Sequence, residues 1–211
     1  MAGAFITFEG IDGSGKSTQL RLLASWLRMH GVEVVQTREP GGTQVGKRLR
    51  AVVLDPQLDV DPLAELLLFA ADRAQHVKTL LRPAIQAGNI ILSDRYADAT
   101  VAYQGAGRNF TPGLVAQVIE LATGGLKPDM TLVFDLPVAE CVARTNRRAH
   151  ADNQSDRLET EDTAFYTRVR NAYLQIAAAE PDRVRIINAS GSINEIHTLV
   201  LELVKPLLNI E

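Results

Sequence analysis

Near the start of the chain, FEGIDGSGKSTQ (residues 8–19) sets Gly10, Gly15, Lys16 and Ser17 at the spacing G-x-x-x-x-G-K-[ST]. The residue types define the chemistry. The glycines let the backbone N–H groups of Gly10, Ile11, Asp12, Gly13, Ser14 and Gly15 turn inward around phosphate oxygens. A helix starting near Lys16 aims its positive end at the same point, and Lys16 adds a full charge. The Ser17 hydroxyl suits a Mg²⁺ ion that bridges nucleotide phosphates. The plainer alternative is a tight glycine turn with Lys16 solvated, and the strand before the motif and helix after it count against that. A nucleotide-binding P-loop is the reading, which leaves open hydrolysis, motion or transfer.

Other residues narrow the choice. No Asn-Lys-x-Asp segment of the kind that reads guanine follows a late strand, which weakens a GTP-switch reading. In SDRY, Asp94 and Arg95 close a buried strand, where open parallel sheets place their ligands. Arg38 ends another strand in TREPGGT, and Arg73 lies on a long helical segment. Converging arginines suit a second substrate that bears phosphate.

These side chains need elements to position them. Short apolar runs rich in β-branched residues alternate with longer helical patterns, the rhythm of an α/β fold with parallel strands joined by helices. GAFITFE, VEVVQTRE, NIILSDRY, MTLVFDL and RVRIINAS read as strands. STQLRLLASWLRMH reads as a helix with Leu20, Leu23 and Leu27 on one face and Gly31 as its stop. QVGKRLRAVVL is helical, and so is DPLAELLLFAADRAQHVKTLLRPAIQAG, with Asp61 as N-cap, Pro62 in the first turn and Pro83 bending or dividing its later part. A helix after Pro137 is expected to run to about Arg147, another from near Leu158 to Ala179, and SINEIHTLVLELVKPLL closes the chain. RRAHADNQSDR interrupts that pattern and reads as a lid. We expect one domain over residues 1–211, with the lid at about 144–157.

The composition, 46% hydrophobic and 22% charged over 211 residues, is that of a folded chain with one well-buried core. A net charge of −3 lacks the basic balance of a nucleic-acid coat, so any anion site must be local. The single cysteine, Cys141, falls in an apolar helical pattern and reads as a buried core thiol suited to a reducing compartment. No run of about 18 apolar residues occurs. The expectation is a cytoplasmic protein with neither membrane nor nucleic acid as partner.

FEGIDGSGKST, REPGGT, LLFAADRAQH, SDRYADATVAYQG and DRLE after a basic lid occur in that order. With them the chain resembles the thymidylate kinases over nearly its whole length. The resemblance implies a P-loop nucleoside monophosphate kinase fold, with a five-stranded parallel sheet of order 2-3-1-4-5 flanked by helices. It also implies a homodimer and a place in dTTP synthesis, with in-line transfer of the ATP γ-phosphoryl group to dTMP in the presence of Mg²⁺. Carried onto this chain, it assigns Phe69 to stack on thymine, Arg73 to donate to a base carbonyl, and Thr100 and Gln104 to address the N3 edge. Tyr103 would press where a 2′-hydroxyl would project, Arg38 and Arg95 would hold the monophosphate, and Asp12 and Glu9 would lie near the sugar and phosphate. Ser17 and Asp94 would serve the metal, with Asp94 in its outer sphere.

In one family branch an arginine follows the P-loop aspartate, but Gly13 stands here. The resemblance is to the other branch, in which a lid arginine is catalytic. Arg144, Arg147, Arg148 and Arg157, with His150, supply the choice; Arg148 is the residue assigned, and Arg144 is next. Lys16, Asp12 and Arg95 complete the catalytic set. Asp156 would position a lid arginine or the substrate side of the crevice, and adenine would lie around Asn188 to Gly191. On pattern alone Phe69 also reads as core, Thr100 and Tyr103 as packing residues at i and i+3, and the lid arginines as a solvated run. A kinase for another acceptor, such as a deoxynucleoside, and a noncatalytic ATP-binding regulator stay open at this point.

Overall fold

The structure is a computed structural model that describes residues 3–152 and 156–210; the side chains of 148–152 lie outside that description. Five strands form one sheet: β1 (Ala4–Glu9), β2 (Val34–Arg38), β3 (Ile90–Asp94), β4 (Met130–Asp135) and β5 (Val184–Asn188). Their order is β2-β3-β1-β4-β5 and every pairing is parallel, as expected. Central β1 is buried along its entire length and pairs Ile6 with Leu92 on one side and Met130 on the other. A strand covered on both faces must be apolar on both, which is why GAFITFE shows no alternation.

The helices follow from their ends and faces. α1 (Lys16–Met29) turns Leu20, Leu23 and Leu27 inward against β1's Ile6 and Phe8. The opposite sheet face packs Phe5 and Ile91 against Val77, Leu81 and Tyr96, with the Phe5 and Tyr96 rings edge to face at 4.9 Å. Burying such a side chain fully contributes about 1.5–3 kcal/mol. α2 (Gln44–Val53) follows the REPGGT turn, and α3 (Pro62–His76) opens where the Asp61 carboxylate accepts from Leu63 N at 2.8 Å. The long pattern does divide near Pro83. It widens into a π-helical segment at Val77–Leu81 and resumes as α4 (Arg82–Gln86), Pro83 having no N–H to continue the ladder.

After β3, α5 (Ala97–Thr100) passes into a second π-helical segment, Val101–Gly107. A helix absent from the sequence expectation, α6 (Pro112–Thr123), precedes β4. α7 (Val138–Asp152) continues beyond Arg147, so the first part of the expected lid is helical. Arg, Ala and His sustain a helix without an apolar stripe, and polarity alone was a poor stop signal. The helix expected from Leu158 is two pieces: a 3₁₀ turn at Arg157–Thr160, then α8 (Thr163–Ala179), started by the Asp162 carboxylate accepting from Phe165 N at 2.6 Å. α9 (Ile193–Leu208) opens on a reciprocal Ser192 and Glu195 capping box. Among the described residues, no helix is long and apolar enough to cross a membrane.

Because β1 lies between β3 and β4, the carboxyl ends of these strands converge at the point where the connections change sides of the sheet. Glu9, Asp94 and Asp135 end the three strands, and the glycine-rich loop leaves from the first.

Candidate active site

The loop between β1 and α1 buries Lys16, which is 5% exposed, and its ammonium donates to Asp12 Oδ1 at 2.9 Å. Among the described residues the buried Ser14 hydroxyl has no hydrogen-bond partner, an unmet polar group inside a loop suited to phosphate. Ser17 Oγ donates to the Asp94 carboxylate, so the two residues assigned to the metal meet directly. Among the described residues no cluster of three or more acidic, histidine or cysteine side chains could hold an ion. Two hard oxygen donors fit Mg²⁺, which binds through few protein ligands and keeps waters and substrate phosphates.

Gly13 explains the missing P-loop arginine. Its φ is +85°, and a Cβ there would sit 2.4 Å from Cys141 O and 2.9 Å from Thr145 Oγ1 on α7. α7 rests on the bare backbone of the loop, leaving no room for an arginine to start. Cys141 itself is 1% exposed, with burial pushing its thiol up to about 11, as an unreactive core thiol requires.

Beside the loop lies a cavity lined by Phe69, Arg73, Thr100, Tyr103 and Gln104, and also by Asp12, Arg95, Arg50 and Asp156. The five residues assigned to thymine and sugar, drawn from α3, α5 and the second π-helical segment, therefore share one wall. Arg73 is 2% exposed and donates to Glu39 Oε2 at 2.7 Å, Thr100 Oγ1 at 2.8 Å and Tyr96 O at 2.9 Å. Glu39 also accepts at 2.8 Å from His76, whose other nitrogen meets Thr37, so Arg73 is anchored from behind by a buried network. Two of its five N–H groups have no hydrogen-bond partner among the described residues.

Arg95 is the hub, and it is strained: its φ of 75° is rare for a residue with a side chain, a state that tends to mark functional sites. Nη1 donates to Gly10 O at 3.0 Å and Tyr173 OH at 3.2 Å, and Nη2 to Asp12 Oδ2 at 2.9 Å and Tyr103 OH at 3.0 Å. Burial would raise the Asp12 carboxyl, but Arg95 and Lys16 hold it well below the usual carboxylate range.

Not every assigned residue faces the cavity. Glu9 is fully buried; its carboxylate accepts from Tyr96 N at 2.7 Å and Tyr173 OH at 2.7 Å, which makes it a support for Arg95. Arg38 is exposed at the end of β2. Arg50 was missed by the sequence reading: it donates to Pro40 O at 3.0 Å, lines the cavity, and is close enough to Arg38 that burial and this like charge lower its pKa. Its only signal was a basic run on α2. Tyr173 and Glu65 were missed too, having only a place in helical patterns.

In the segment expected to form a lid, Arg144 is 37% exposed and lies 4.0 Å from Glu140, one turn away. Arg148 falls on α7, with its side chain outside the described residues, as is that of His150. Arg157 is committed elsewhere, to Glu65 and to Val53 O at 3.1 Å. Asp156 lines the cavity while its Oδ1 caps Leu158 N and Glu159 N; burial and the nearby Asp12 raise its pKa. Asn188 Oδ1 accepts from the Ser190 backbone and hydroxyl, closing the turn before α9.

A glycine-rich P-loop beside an adjoining cavity, on a parallel sheet of order 2-3-1-4-5, is the P-loop nucleoside monophosphate kinase fold. The family model described as "Thymidylate kinase" matches residues 8–200. The chain is 50% identical over 194 residues to a thymidylate kinase of Leifsonia xyli, covering 92% of this chain and 90% of that one. It is 46% identical over 199 residues to one of Exiguobacterium sibiricum, covering 94% and 92% respectively. The crystal structure of the thymidylate kinase from Ehrlichia chaffeensis matches with a TM-score of 0.78 at 35% identity, covering 97% of this chain and 99% of that one. The chain belongs to the thymidylate kinase family.

Proposed function

We propose that this protein transfers the γ-phosphoryl group of ATP to dTMP, giving dTDP for dTTP synthesis, by direct in-line displacement. The observation that carries the reading is Asp12. It joins Lys16 of the phosphate loop and Arg95 of the cavity, each at 2.9 Å, so the two nucleotide sites share one wall and two phosphates can meet there.

The residues divide the work. The backbone N–H groups from Gly10 to Gly15 and the Lys16 ammonium hold the donor phosphates, and Ser17 and Asp94 hold Mg²⁺. When bound, Mg²⁺ neutralises developing charge on the donor oxygens. Phe69 stacks on thymine, while Arg73, Thr100 and Gln104 read its polar edge. Tyr103 favours deoxyribose, and Arg38, Arg50 and Arg95 hold the monophosphate. For Arg95 this means exchanging part of its hold on Asp12 for the ligand. Positioning and charge neutralisation are the main demands of phosphoryl transfer. Arg148, with Arg144 as second, brings positive charge from the lid at 144–157, and lid closure keeps water from the γ-phosphate.

The chain works as one domain, in the cytoplasm, as a homodimer. Leu66 on α3 is fully buried within the protomer and is not available for pairing. Leu63, Leu67, Leu114 and Leu121, on α3 and α6, are exposed and offer the apolar surface instead. The test is ADP formation from ATP and Mg²⁺ with dTMP, dUMP, ribothymidylate, dCMP or thymidine, against a blank without acceptor. Strong dTMP-dependent turnover over a near-zero blank is expected. Turnover on thymidine but not dTMP, or turnover independent of acceptor, would overturn the proposal.

A further inference from the structure

Glu65 is a fully buried acid on α3 that the chemistry above does not use. Its Oε1 accepts from Gln104 Nε2 at 2.8 Å and Arg108 Nε at 3.2 Å; its Oε2 accepts from Arg108 Nη2 at 3.0 Å and from Arg157 Nη2. Burial opposes its ionisation, but the bonds from Arg108, Gln104 and Arg157 outweigh burial and lower its pKa. An ionised carboxylate only accepts hydrogen bonds, so the Gln104 amide must present its NH₂ group to Glu65. The amide is planar, and no donor among the described residues reaches its Oε1. Gln104 lines the cavity beside Thr100 and Phe69, and with Nε2 turned to Glu65 the Oε1 corner of the amide is placed to accept from a ligand.

We infer that Glu65 is a positioning residue for base selection: it fixes the Gln104 amide so that an acceptor, not a donor, meets the base at N3. The inference rests on the dTMP reading of the cavity and specifies how that site rejects other pyrimidines. Thymine and uracil carry N3–H, a donor, and O4, an acceptor. Cytosine reverses both. Thr100 complements Gln104, since its Oγ1 already accepts from Arg73 at 2.8 Å and its own proton is free to be donated. Arg73 and Glu65, neither chosen for contact with N3 itself, thus impose a donor beside an acceptor on two side chains that could each play either part. A cytosine edge would leave both groups unpaired in a buried site, which is costly. Glu65 also binds Arg157, the last residue of the proposed lid and the first of the 3₁₀ turn, so the same carboxylate ties the base wall to the lid's far end.

The test compares kcat/KM for dTMP and dCMP in wild type, Glu65→Gln, Gln104→Leu and the double variant. A glutamine at position 65 can accept or donate, so it releases the Gln104 amide to turn over. The expected result is a fall of roughly tenfold or more in the dTMP to dCMP ratio for Glu65→Gln. Gln104→Leu lowers the ratio as well, and adding Glu65→Gln to it changes the ratio by less than about twofold, because the carboxylate acts through the amide. Equal losses on both substrates in Glu65→Gln, with an unchanged ratio, would overturn the inference and leave Glu65 a fold-stabilising acid. A wild type without dTMP turnover would instead overturn the acceptor reading beneath it. If loss of the Arg108 and Arg157 partner unfolds the variant, the wild-type side-chain amide decides. Its ¹⁵N–¹H signals, assigned by their loss in Gln104→Leu, are expected to show an exchange-protected Nε2–H that dTMP leaves in place. Rapid exchange of both protons would refute the positioning role.

Discussion

Gly13→Ala isolates the packing of α7 on the glycine-rich loop, with Gly15→Ala as its reference. Both glycines have positive φ, +85° and +93°, so a side chain at either costs about 1–2 kcal/mol in backbone strain. They differ in what a Cβ would meet. At Gly15 nothing lies within 4 Å, whereas at Gly13 the Cys141 carbonyl is 2.4 Å away and the Thr145 hydroxyl 2.9 Å. A backbone oxygen on α7 cannot swing aside, so helix or loop must shift, at an overpacking cost of roughly 1–3 kcal/mol. The strain terms cancel in the difference. Gly13→Ala is therefore expected to be less stable than Gly15→Ala by about 1–3 kcal/mol, or roughly 2–12 °C in Tm for a chain of this size. Thermal unfolding followed by far-ultraviolet circular dichroism, without nucleotide so that phosphate binding does not enter, measures it. Equal losses in the two variants would show that α7 does not rest on Gly13, and the explanation for the absent P-loop arginine would fail with it. Gly13→Arg is expected to be worse than either.

Three further outcomes are expected. Arg148→Ala should lower kcat far more than it raises KM for dTMP, with Arg144→Ala the milder of the two; steady-state kinetics checks it, and an unchanged kcat removes Arg148 from the catalytic set. Tyr103→Phe deletes the hydroxyl that accepts from Arg95 at 3.0 Å, a bond of about 1 kcal/mol, so KM for dTMP should rise about fivefold with kcat changed less; equal KM values would show that this bond does not position Arg95. Two buried acids should make the ligand-free protein less stable as pH rises from about 5 to 8. Burial and the nearby Asp98 push Glu9 up to about 8, and burial and Glu39 push Asp72 up to about 6. Each proton stays on in the fold after the unfolded chain has lost it, so the stability it gives is complete below the unfolded pKa and gone above the folded one. Above pH 6 Asp72 has released its proton and Glu9 dominates, so Glu9→Gln should flatten the decline between pH 6 and 8; a decline as steep as wild type's would count against Glu9 as its source.

The amino-acid sequence by itself determined the sheet, the loop and the family. Parallel strands buried on both faces announce themselves as apolar runs, and a phosphate cradle made of backbone N–H groups needs glycines at fixed spacing, so GAFITFE and GIDGSGKS were legible one residue after another. Local chemistry also fixed Asp61 as a cap and Pro83 as a break. The π-helical segments and the continuation of α7 to Asp152 were not legible, because a widened turn and a polar helix leave no periodic apolar signature. Nor was the support of the site. Phe69 looks the same whether it fills the core or faces a ligand, and Glu9 was assigned to the cavity although the fold turns its carboxylate under Arg95. Glu65 and Gln104 stand 39 positions apart, and Glu9 and Tyr173 stand 164 apart. Pairings of that reach follow from the crossing order of the strands, the packing of α3 on α2 and α6, and the packing of α8 against β4, β5 and the second π-helical segment. They decide which way a buried amide or guanidinium points, and only tertiary structure brings the partners within hydrogen-bond distance.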